Sequence, residues 1–190
     1  MDCIQNKQTP MESMKAGQDI VIAGVIGISA TKDLFKNNTQ KIKEYYSSNF
    51  INTLGKIDTH KVEQFLLDKD DLKYSAIYEI ASGGIFTALW DITANFDIGI
   101  RVELLDIPIR QETVELSELF EINPYYMDSQ DAYILITDNG YSTVKTLLNR
   151  GIEAIQVGKV EYGKKRIIVT SGGIGFLERP RRSNRTNNIK

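Results

Sequence analysis

The pattern of apolar and polar residues predicts a chain in which strands and helices alternate. Alternation is clearest over residues 98–104, where Ile98, Ile100, Val102 and Leu104 are separated by charged residues or glycine. Such spacing is typical of a strand with one buried face. Further strands are predicted where short apolar runs are bounded by turn residues, at 18–23, 73–80, 132–136, 154–160 and 166–170.

Apolar residues at helical spacing predict the segments between these strands. Over residues 84–95 and just beyond, Ile85, Leu89, Ile92 and Phe96 recur at steps of four, three and four, which places them on one helix face. The other predicted helices cover 29–37, 39–54, 59–68, 111–120 and 142–150. The whole pattern predicts a fold of the α/β class, in the broad sense that includes α+β. Its core is a mixed β-sheet with helices packed on it.

Single residues mark where several of these elements begin and end. Ser29 and Ser142 are predicted to cap helices, because a serine oxygen can accept a bond from an unpaired amide at a helix start. Gly151 follows a helix and suits the left-handed conformation that stops one. Gly163 suits a hairpin between the last two predicted strands. The glycine-rich segment 171–175 follows the last predicted strand, and we expect it to be a flexible exit.

Length and composition indicate one globular domain. The chain has 190 residues, of which 42% are hydrophobic and 25% charged, so it can bury a core of ordinary size. We expect a flexible lead-in over residues 1–16, the domain over 17–177, and a basic, disordered tail over 178–190. The net charge of −2 argues against a nucleic-acid-binding protein, and we expect no nucleic-acid partner.

Cysteine and histidine are too scarce for a structural metal site. The chain has one of each, Cys3 and His60, so it can build neither a four-ligand zinc site nor a disulfide within the chain. We therefore predict no metal site, and we expect a location in the reducing cytoplasm. The longest apolar runs are too short to cross a bilayer, which predicts no membrane association.

The stretch EIASGGIFTALWDI, at residues 79–92, is the main candidate for ligand chemistry. A strand, then Ser82-Gly83-Gly84, then a helix can direct backbone amides and the positive end of the helix dipole at one point, which attracts phosphate. The stretch matches neither of the two common glycine-rich nucleotide-binding patterns. In the other interpretation, Ser82 caps the helix and the glycines form a packing corner. The residues by themselves leave both interpretations open.

No arrangement of acidic or nucleophilic residues predicts a catalytic centre. Glu79, Asp91, Asp106 and Asp131 do not show the spacing of a paired carboxylate site. His60 opens a polar helix, where we expect a surface position. A second strand-to-helix segment with two glycines, at 23–27, favours a tight connection over a phosphate site. We therefore assign no catalytic residue.

Four segments in order resemble the C-terminal domain of proteins related to aminoimidazole ribonucleotide (AIR) synthetase. They are GQDIVIAGVIG at 17–27, YEIASGGIFTALWDI at 78–92, IPIRQETVELSELFEINPYYMDSQDAYILI at 107–136 and GIEAIQVGKVEYGKKRIIV at 151–169. The third is the most specific, because it has Ile-Pro-x-Arg, a helix and Asn-Pro in order. The resemblance extends over nearly the whole chain and is strongest to the hydrogenase-maturation branch of this superfamily.

The chain departs from the family pattern where phosphate chemistry is expected. Glu79 stands where the family has aspartate, and Ser82 where it has an arginine that can bind phosphate with two bonds. Asp131 replaces a glycine and would repel a phosphate if it faced the cleft. The hydrogenase-maturation branch ends in a cysteine that carries the reacting group, and this chain has no cysteine after Cys3.

The resemblance implies a fold, and its functional consequences stay hypotheses. Full-length members also have an N-terminal ATP-binding domain, which we expect this chain to lack. We favour a binding or regulatory module, not catalytic alone, that forms a homodimer or docks on a separate ATP-binding domain. The alternative is a subunit of an ATP-dependent enzyme, whose phosphate side is lined by the cofactor-binding candidates Glu79, Ser82, Gly83 and Gly84. A third hypothesis is a small sensor of nucleotides or metabolites. No cofactor is expected with the chain alone, whereas ATP and Mg²⁺ are possible with a partner domain.

Overall fold

A computed structural model of the chain describes residues 14–57, 62, 72–94, 98–130 and 132–180. The described strands are β1 (Asp19–Ala23), β2 (Ala76–Glu79), β3 (Ile98–Glu103), β4 (Tyr133–Thr137), β5 (Ala154–Tyr162), β6 (Arg166–Thr170) and β7 (Gly173–Phe176). The described helices are α1 (Ile28–Asn37), α2 (Thr39–Tyr45), α3 (Ser48–Leu54), α4 (Gly84–Ala94), α5 (Gln111–Leu119) and α6 (Gly140–Asn149). Short 3₁₀ helices lie at Leu104–Asp106 and Pro124–Tyr126.

The strands form a seven-stranded mixed sheet in the order β2-β4-β1-β5-β3-β6-β7. The β3–β6 pair is parallel, and the other neighbouring pairs are antiparallel. β1 lies near the middle, where Ile20, Val21 and Ile22 are fully buried because both faces of the sheet are covered there. The predicted class, a mixed sheet with helices packed on it, is confirmed.

Helices cover the two faces of the sheet and make separate cores. On one face, Ile85 and Leu89 of α4 pack in a cluster that includes Ile20 of β1. On the opposite face, Leu147 of α6 belongs to a cluster with Val21 of the same strand. A third cluster joins α1, α2 and α3 to α5 beside the sheet. Successive residues of β1 thus point into different cores, as the two-residue repeat of a strand requires.

The connection between β5 and β6 is not the hairpin that Gly163 suggested. Gly163 does turn the chain, with a φ of 80°, but β3 lies between β5 and β6 in the sheet. The connection therefore crosses one end of β3 at Gly99. A Cβ atom on Gly99 would lie 2.5 Å from the carbonyl oxygen of Lys165, so the missing side chain makes room for the crossing strand connection.

The predicted helix over residues 39–54 is two helices. The chain is extended at Tyr46, with φ −121° and ψ 151°, which ends α2. Ser47 then caps α3, because its side chain accepts a hydrogen bond from the backbone amide of Phe50. The apolar pattern continues across this break, so periodicity alone did not reveal it.

The two predicted serine caps are wrong, and the predicted helix stop is confirmed. Gly27, in the left-handed conformation, precedes α1 in the position given to Ser29. The cap of α6 is Asn139, whose side chain accepts a bond from the amide of Ser142. Gly151 follows α6 with a φ of 76°, as expected of a left-handed helix stop.

The expected flexible exit at 171–175 is also wrong. Its second half is part of β7, which pairs with β6 from Thr170↔Gly173 to Ile167↔Phe176. Most of the predicted helix at 59–68, Phe96, residues 1–13 and residues 181–190 lie outside the described part of the chain. The domain boundaries near residues 17 and 177 stay predictions.

Candidate functional site

The four cofactor-binding candidates, Glu79, Ser82, Gly83 and Gly84, lie in and beside the turn between β2 and α4. Glu79 ends β2 and is exposed, Ser82 lies in the exposed turn, and Gly84 is buried at the start of α4. Gly83 and Gly84 both have left-handed backbones, with φ of 86° and 69°. Only glycine adopts two such conformations in succession without strain, so the glycine pair is required by the shape of the turn.

The backbone amide of Gly83 is bound by a carboxylate from another segment. It donates a hydrogen bond to Oδ1 of Asp128 at 2.8 Å. Asp128 follows the 3₁₀ helix Pro124–Tyr126 and lies 45 residues further along the chain. The anion held at this turn is therefore part of the protein itself. Asp128 could not be predicted as part of this turn, because no spacing pattern in the sequence links it to the glycine pair.

Gly84 is a close-packing position. A Cβ atom there would lie 2.7 Å from the carbonyl carbon and 2.8 Å from the Cα of Tyr126. Because Gly84 has no Cβ atom, the start of α4 can contact the backbone of the 3₁₀ helix. Phe86 extends the contact by stacking on Tyr125, with ring centroids 5.1 Å apart, and by meeting Tyr126 edge-on at 5.3 Å. These contacts favour the packing-corner interpretation of the glycine pair.

The loop that follows the 3₁₀ helix, at residues 127–129, also forms hydrogen bonds with the other strand-to-helix glycine segment. The Oγ atom of Ser129 accepts a bond from the amide of Gly27 at 2.7 Å and donates to the carbonyl of Met127 at 2.9 Å. Ser29 donates to the carbonyl of Asp128 at 2.8 Å. The fold thus brings together three segments that are distant in sequence, which we call the loop cluster: residues 24–29, 79–84 and 125–130.

The charged residues of the loop cluster are acidic. Its three segments contain Glu79 and Asp128 and no lysine, arginine or histidine. Burial raises the pKa of Tyr78 beside it, and the Asp91 carboxylate that this hydroxyl bonds raises the pKa further. Burial also raises the pKa of Tyr125. Both tyrosines therefore stay neutral at physiological pH. Asp131, which the family resemblance placed near this turn, lies outside the described residues.

A second helix start repeats this arrangement on the other face of the sheet. Gly140 begins α6, and its amide donates to Oδ2 of Asp19 at 2.8 Å. Oδ1 of Asp19 also accepts bonds from Gln156 at 2.9 Å and from Lys159 at 2.7 Å. Both α4 and α6 thus begin beside a carboxylate supplied by a distant segment, which stabilises the positive end of a helix dipole.

The described residues offer neither a metal cluster nor a membrane span. No group of three or more His, Cys, Asp and Glu side chains is placed to hold an ion in the part of the chain that is described. Among the same residues, no helix has the length and apolar character needed to cross a bilayer.

Comparison with known proteins defines the class of fold. No protein-family model matches the chain, and no curated protein does either. The hydrogenase maturation protein HypE, solved in complex with ATP, is similar in structure with a TM-score of 0.64 and 17% identity. The match covers 88% of this chain and 52% of HypE. HypE in the HypE–HypF complex gives a TM-score of 0.66 and 16% identity over 90% of this chain and 55% of that one.

A kinase has a similar fold as well. Thiamine monophosphate kinase from Aquifex aeolicus gives a TM-score of 0.55 and 15% identity, over 86% of this chain and 53% of the kinase. The chain therefore has the fold of AIR synthase-related proteins, and the resemblance of the four sequence segments is confirmed at that level. It spans about half the length of these neighbours, as a C-terminal-domain-like piece would. At such low identity the likeness establishes the fold and assigns no activity.

Proposed function

We propose that this domain is a binding module that acts by associating with a protein and does not catalyse a reaction by itself. Its partner is a second copy of the chain or a separate ATP-binding domain of the kind that the family resemblance implies. One observation carries the proposal. The turn best suited to an anion already holds the Asp128 carboxylate, 2.8 Å from the amide of Gly83. A cytoplasmic location stays a prediction.

Charge supports this proposal. For a phosphate to reach the amide of Gly83, the side chain of Asp128 would first have to leave. The displaced carboxylate would remain near the incoming anion and repel it. The loop cluster contains no cationic side chain to offset this repulsion, and the arginine of the family pattern is Ser82 here. Phosphate sites commonly combine backbone amides with arginine or lysine, and this combination is missing from the cluster.

The alternative function is a subunit of an ATP-dependent enzyme of the hydrogenase-maturation or AIR synthase type. The fold favours it, since similar structures include HypE with ATP and HypE with HypF. In this alternative, a partner chain supplies Mg²⁺ and the cationic groups. Asp128 then moves away, and Glu79, Ser82, Gly83 and Gly84 line the phosphate side of a shared site.

Calorimetric titration of the purified chain with Mg-ATP and Mg-ADP separates the two functions. We expect no binding heat at millimolar nucleotide. The variant Asp128→Ala frees the amide of Gly83 and removes one negative charge, and we expect it to gain at most weak binding. Glu44→Ala is the matched control, because it removes an exposed carboxylate from α2, which packs away from the turn.

Micromolar binding by the wild-type chain would contradict the proposal. Ser82→Asp then locates the ligand, because Ser82 is exposed and a carboxylate there should weaken a phosphate contact without disturbing the core. Binding that is lost in Ser82→Asp would support the enzyme-subunit alternative. Binding that persists would place the nucleotide elsewhere and would equally end the proposal that this domain binds only proteins.

A further inference from the structure

β7 is an open edge strand. It lies at one end of the sheet, and within the described residues its strand partner is β6. Its sequence, GIGF, has no charged residue and no proline, and Ile174 and Phe176 are 62% and 65% exposed. Natural edge strands are commonly protected by lysine, proline or a bulge, because their free backbone groups pair readily with another strand. The four residues of β7 have none of these features.

The backbone groups that face outward can be identified from the ladder. The amide of Leu177 donates to the carbonyl of Arg166 at 2.8 Å, so these two residues form a hydrogen-bonded pair. Such pairs alternate along an antiparallel ladder. Gly175, two residues back, therefore also directs its amide and carbonyl at β6. The amides and carbonyls of Ile174 and Phe176 must point away from the sheet, along its open edge.

We propose that β7 pairs in antiparallel register with β7 of a second copy of this chain, with the two-fold axis at Gly175. This inference rests on the proposed function and names the surface and partner for it. Outward groups can bond only to outward groups, so Ile174 must face Ile174 or Phe176 of the partner subunit. Pairing Ile174 with Phe176 of the partner subunit brings both outward residues of β7 into hydrogen-bonded pairs, whereas pairing Ile174 with its own copy uses only one of them. The two-fold axis of the favoured register passes through Gly175.

The side chains and charges of the edge suit a second copy. Phe176 lies opposite Ile167, and Ile174 opposite Val169, so β6 and β7 present one row of apolar side chains. In the proposed register this row continues into the same row of the partner subunit. β7 has no charge to repel its copy, and antiparallel pairing places the two Glu178 carboxylates at opposite ends of the joined strands. A positively or negatively charged partner strand would find no complementary charge on β7.

Cysteine cross-linking tests the register. Residues 175 of the two copies would form a non-hydrogen-bonded pair, whose short Cα–Cα distance permits a disulfide. A Cβ atom on Gly175 would lie 3.8 Å from the carbonyl oxygen of Ile168, so the side chain fits. In a chain with Cys3→Ser, we expect Gly175→Cys to form a disulfide-linked dimer at least about tenfold faster than Ser171→Cys, since thiols held within a dimer react at a high effective concentration. Ser171 is the matched control because it is exposed in the turn before β7.

Sedimentation velocity tests the association itself. Across micromolar to millimolar concentrations we expect the wild-type chain to shift from monomer to dimer. Ile174→Pro removes an outward amide that no described strand uses, and Phe176→Lys adds a charge to the edge. Both variants should stay monomeric with an unchanged circular dichroism spectrum. Tyr45→Lys should dimerise like the wild type, since Tyr45 is 67% exposed on α2, away from the sheet edge.

The outcomes separate this inference from the proposed function. A chain that stays monomeric throughout, or cross-linking of Gly175→Cys no faster than of Ser171→Cys, would overturn the dimer. Slow hydrogen exchange at the amides of Ile174 and Phe176 in such a monomer would identify another segment of the same chain as the occupant. If the dimer is overturned in either way and no nucleotide binds, the proposed function as a binding module stands, and its partner is a different protein. Nucleotide binding by a chain that still dimerises would overturn the proposed function and leave the dimer.

Discussion

Two glycine-rich segments of this molecule have opposite surroundings. At Gly84 the missing side chain is filled by the backbone of Tyr126, whose carbonyl carbon would lie 2.7 Å from an added Cβ. At Gly175 the nearest atom to an added Cβ is the carbonyl oxygen of Ile168 at 3.8 Å, an ordinary contact. The first segment is closed by packing and the second is open. The comparison shows that a glycine pattern acquires its meaning from the segment that packs against it.

The polar groups of the two segments differ in the same way. The amide of Gly83 is bound by the carboxylate of Asp128 at 2.8 Å. The amides of Ile174 and Phe176 point away from β6, where no described strand pairs with them. The turn resembles a ligand site in sequence and is satisfied within the chain. The edge strand has no chemical motif, yet its outward amides and carbonyls, which pair with no described strand, are the groups that recognition of a protein strand needs.

The substitution Gly84→Ala should have the largest effect. It combines a left-handed conformation, which costs an ordinary residue about 1–2 kcal/mol, with overlap against the backbone of Tyr126, which adds about 1–3 kcal/mol. We expect the free energy of unfolding, measured with urea, to fall by their sum or the chain not to fold. Gly151→Ala is the control, because φ there is +76° and nothing lies within 4 Å of an added Cβ. Equal losses for the two variants would mean that the contact with Tyr126 is not a close one.

The substitution Asp128→Ala should have an intermediate effect. It removes the acceptor for the amide of Gly83, and because the bond is exposed to water we expect a loss of about 1 kcal/mol in the free energy of unfolding. Asp128→Asn retains an oxygen acceptor without the charge and should lose less. If both variants unfold at the same urea concentration as the wild type, the carboxylate does not stabilise the turn. The amide of Gly83 would then be available to ligands.

The substitution Gly175→Ala should have the smallest effect and the opposite sign. Alanine has less conformational freedom to lose than glycine, so a compatible strand position gains up to about 1 kcal/mol. Urea unfolding at low protein concentration measures the monomer without a contribution from dimerisation. A marked loss of stability in Gly175→Ala would show that the edge is packed against something, and the contrast with Gly84 would disappear.

Periodicity predicted most of the fold because burial imposes it directly. The alternation over residues 98–104 corresponds to β3, and Ile85, Leu89 and Ile92 are buried on one face of α4 as their spacing predicted. The neighbours within the sheet could not be predicted in this way. Nothing in the sequence around Gly163 shows that β3 separates β5 from β6, because sheet order depends on contacts between distant segments.

The turn between β2 and α4 was predicted from the sequence, and its role as a cofactor-binding site stays a prediction. The left-handed backbones of Gly83 and Gly84 were not predicted, although they agree with the preference of glycine for such conformations. The occupant of the turn could not be predicted, because Asp128 reaches it across 45 residues and the fold sets that distance. Similarly, Asp19 looks like the polar first residue of a strand, and its contact with Gly140 emerges only when β1 and α6 pack together.

The position of β1 has a consequence for how the chain is made. β1 is the first described strand to leave the ribosome, yet its neighbours in the sheet are β4 and β5, as in the pairs Asp19↔Thr137 and Asp19↔Lys159. During synthesis the apolar residues of β1 therefore have no strand partner until β4 has been translated. The centre of the sheet assembles late, from segments distant in sequence, and this makes folding slow. A chain that stops before β5 would lack one of the two strand partners of β1, and the exposed edge of β1 would be prone to aggregate.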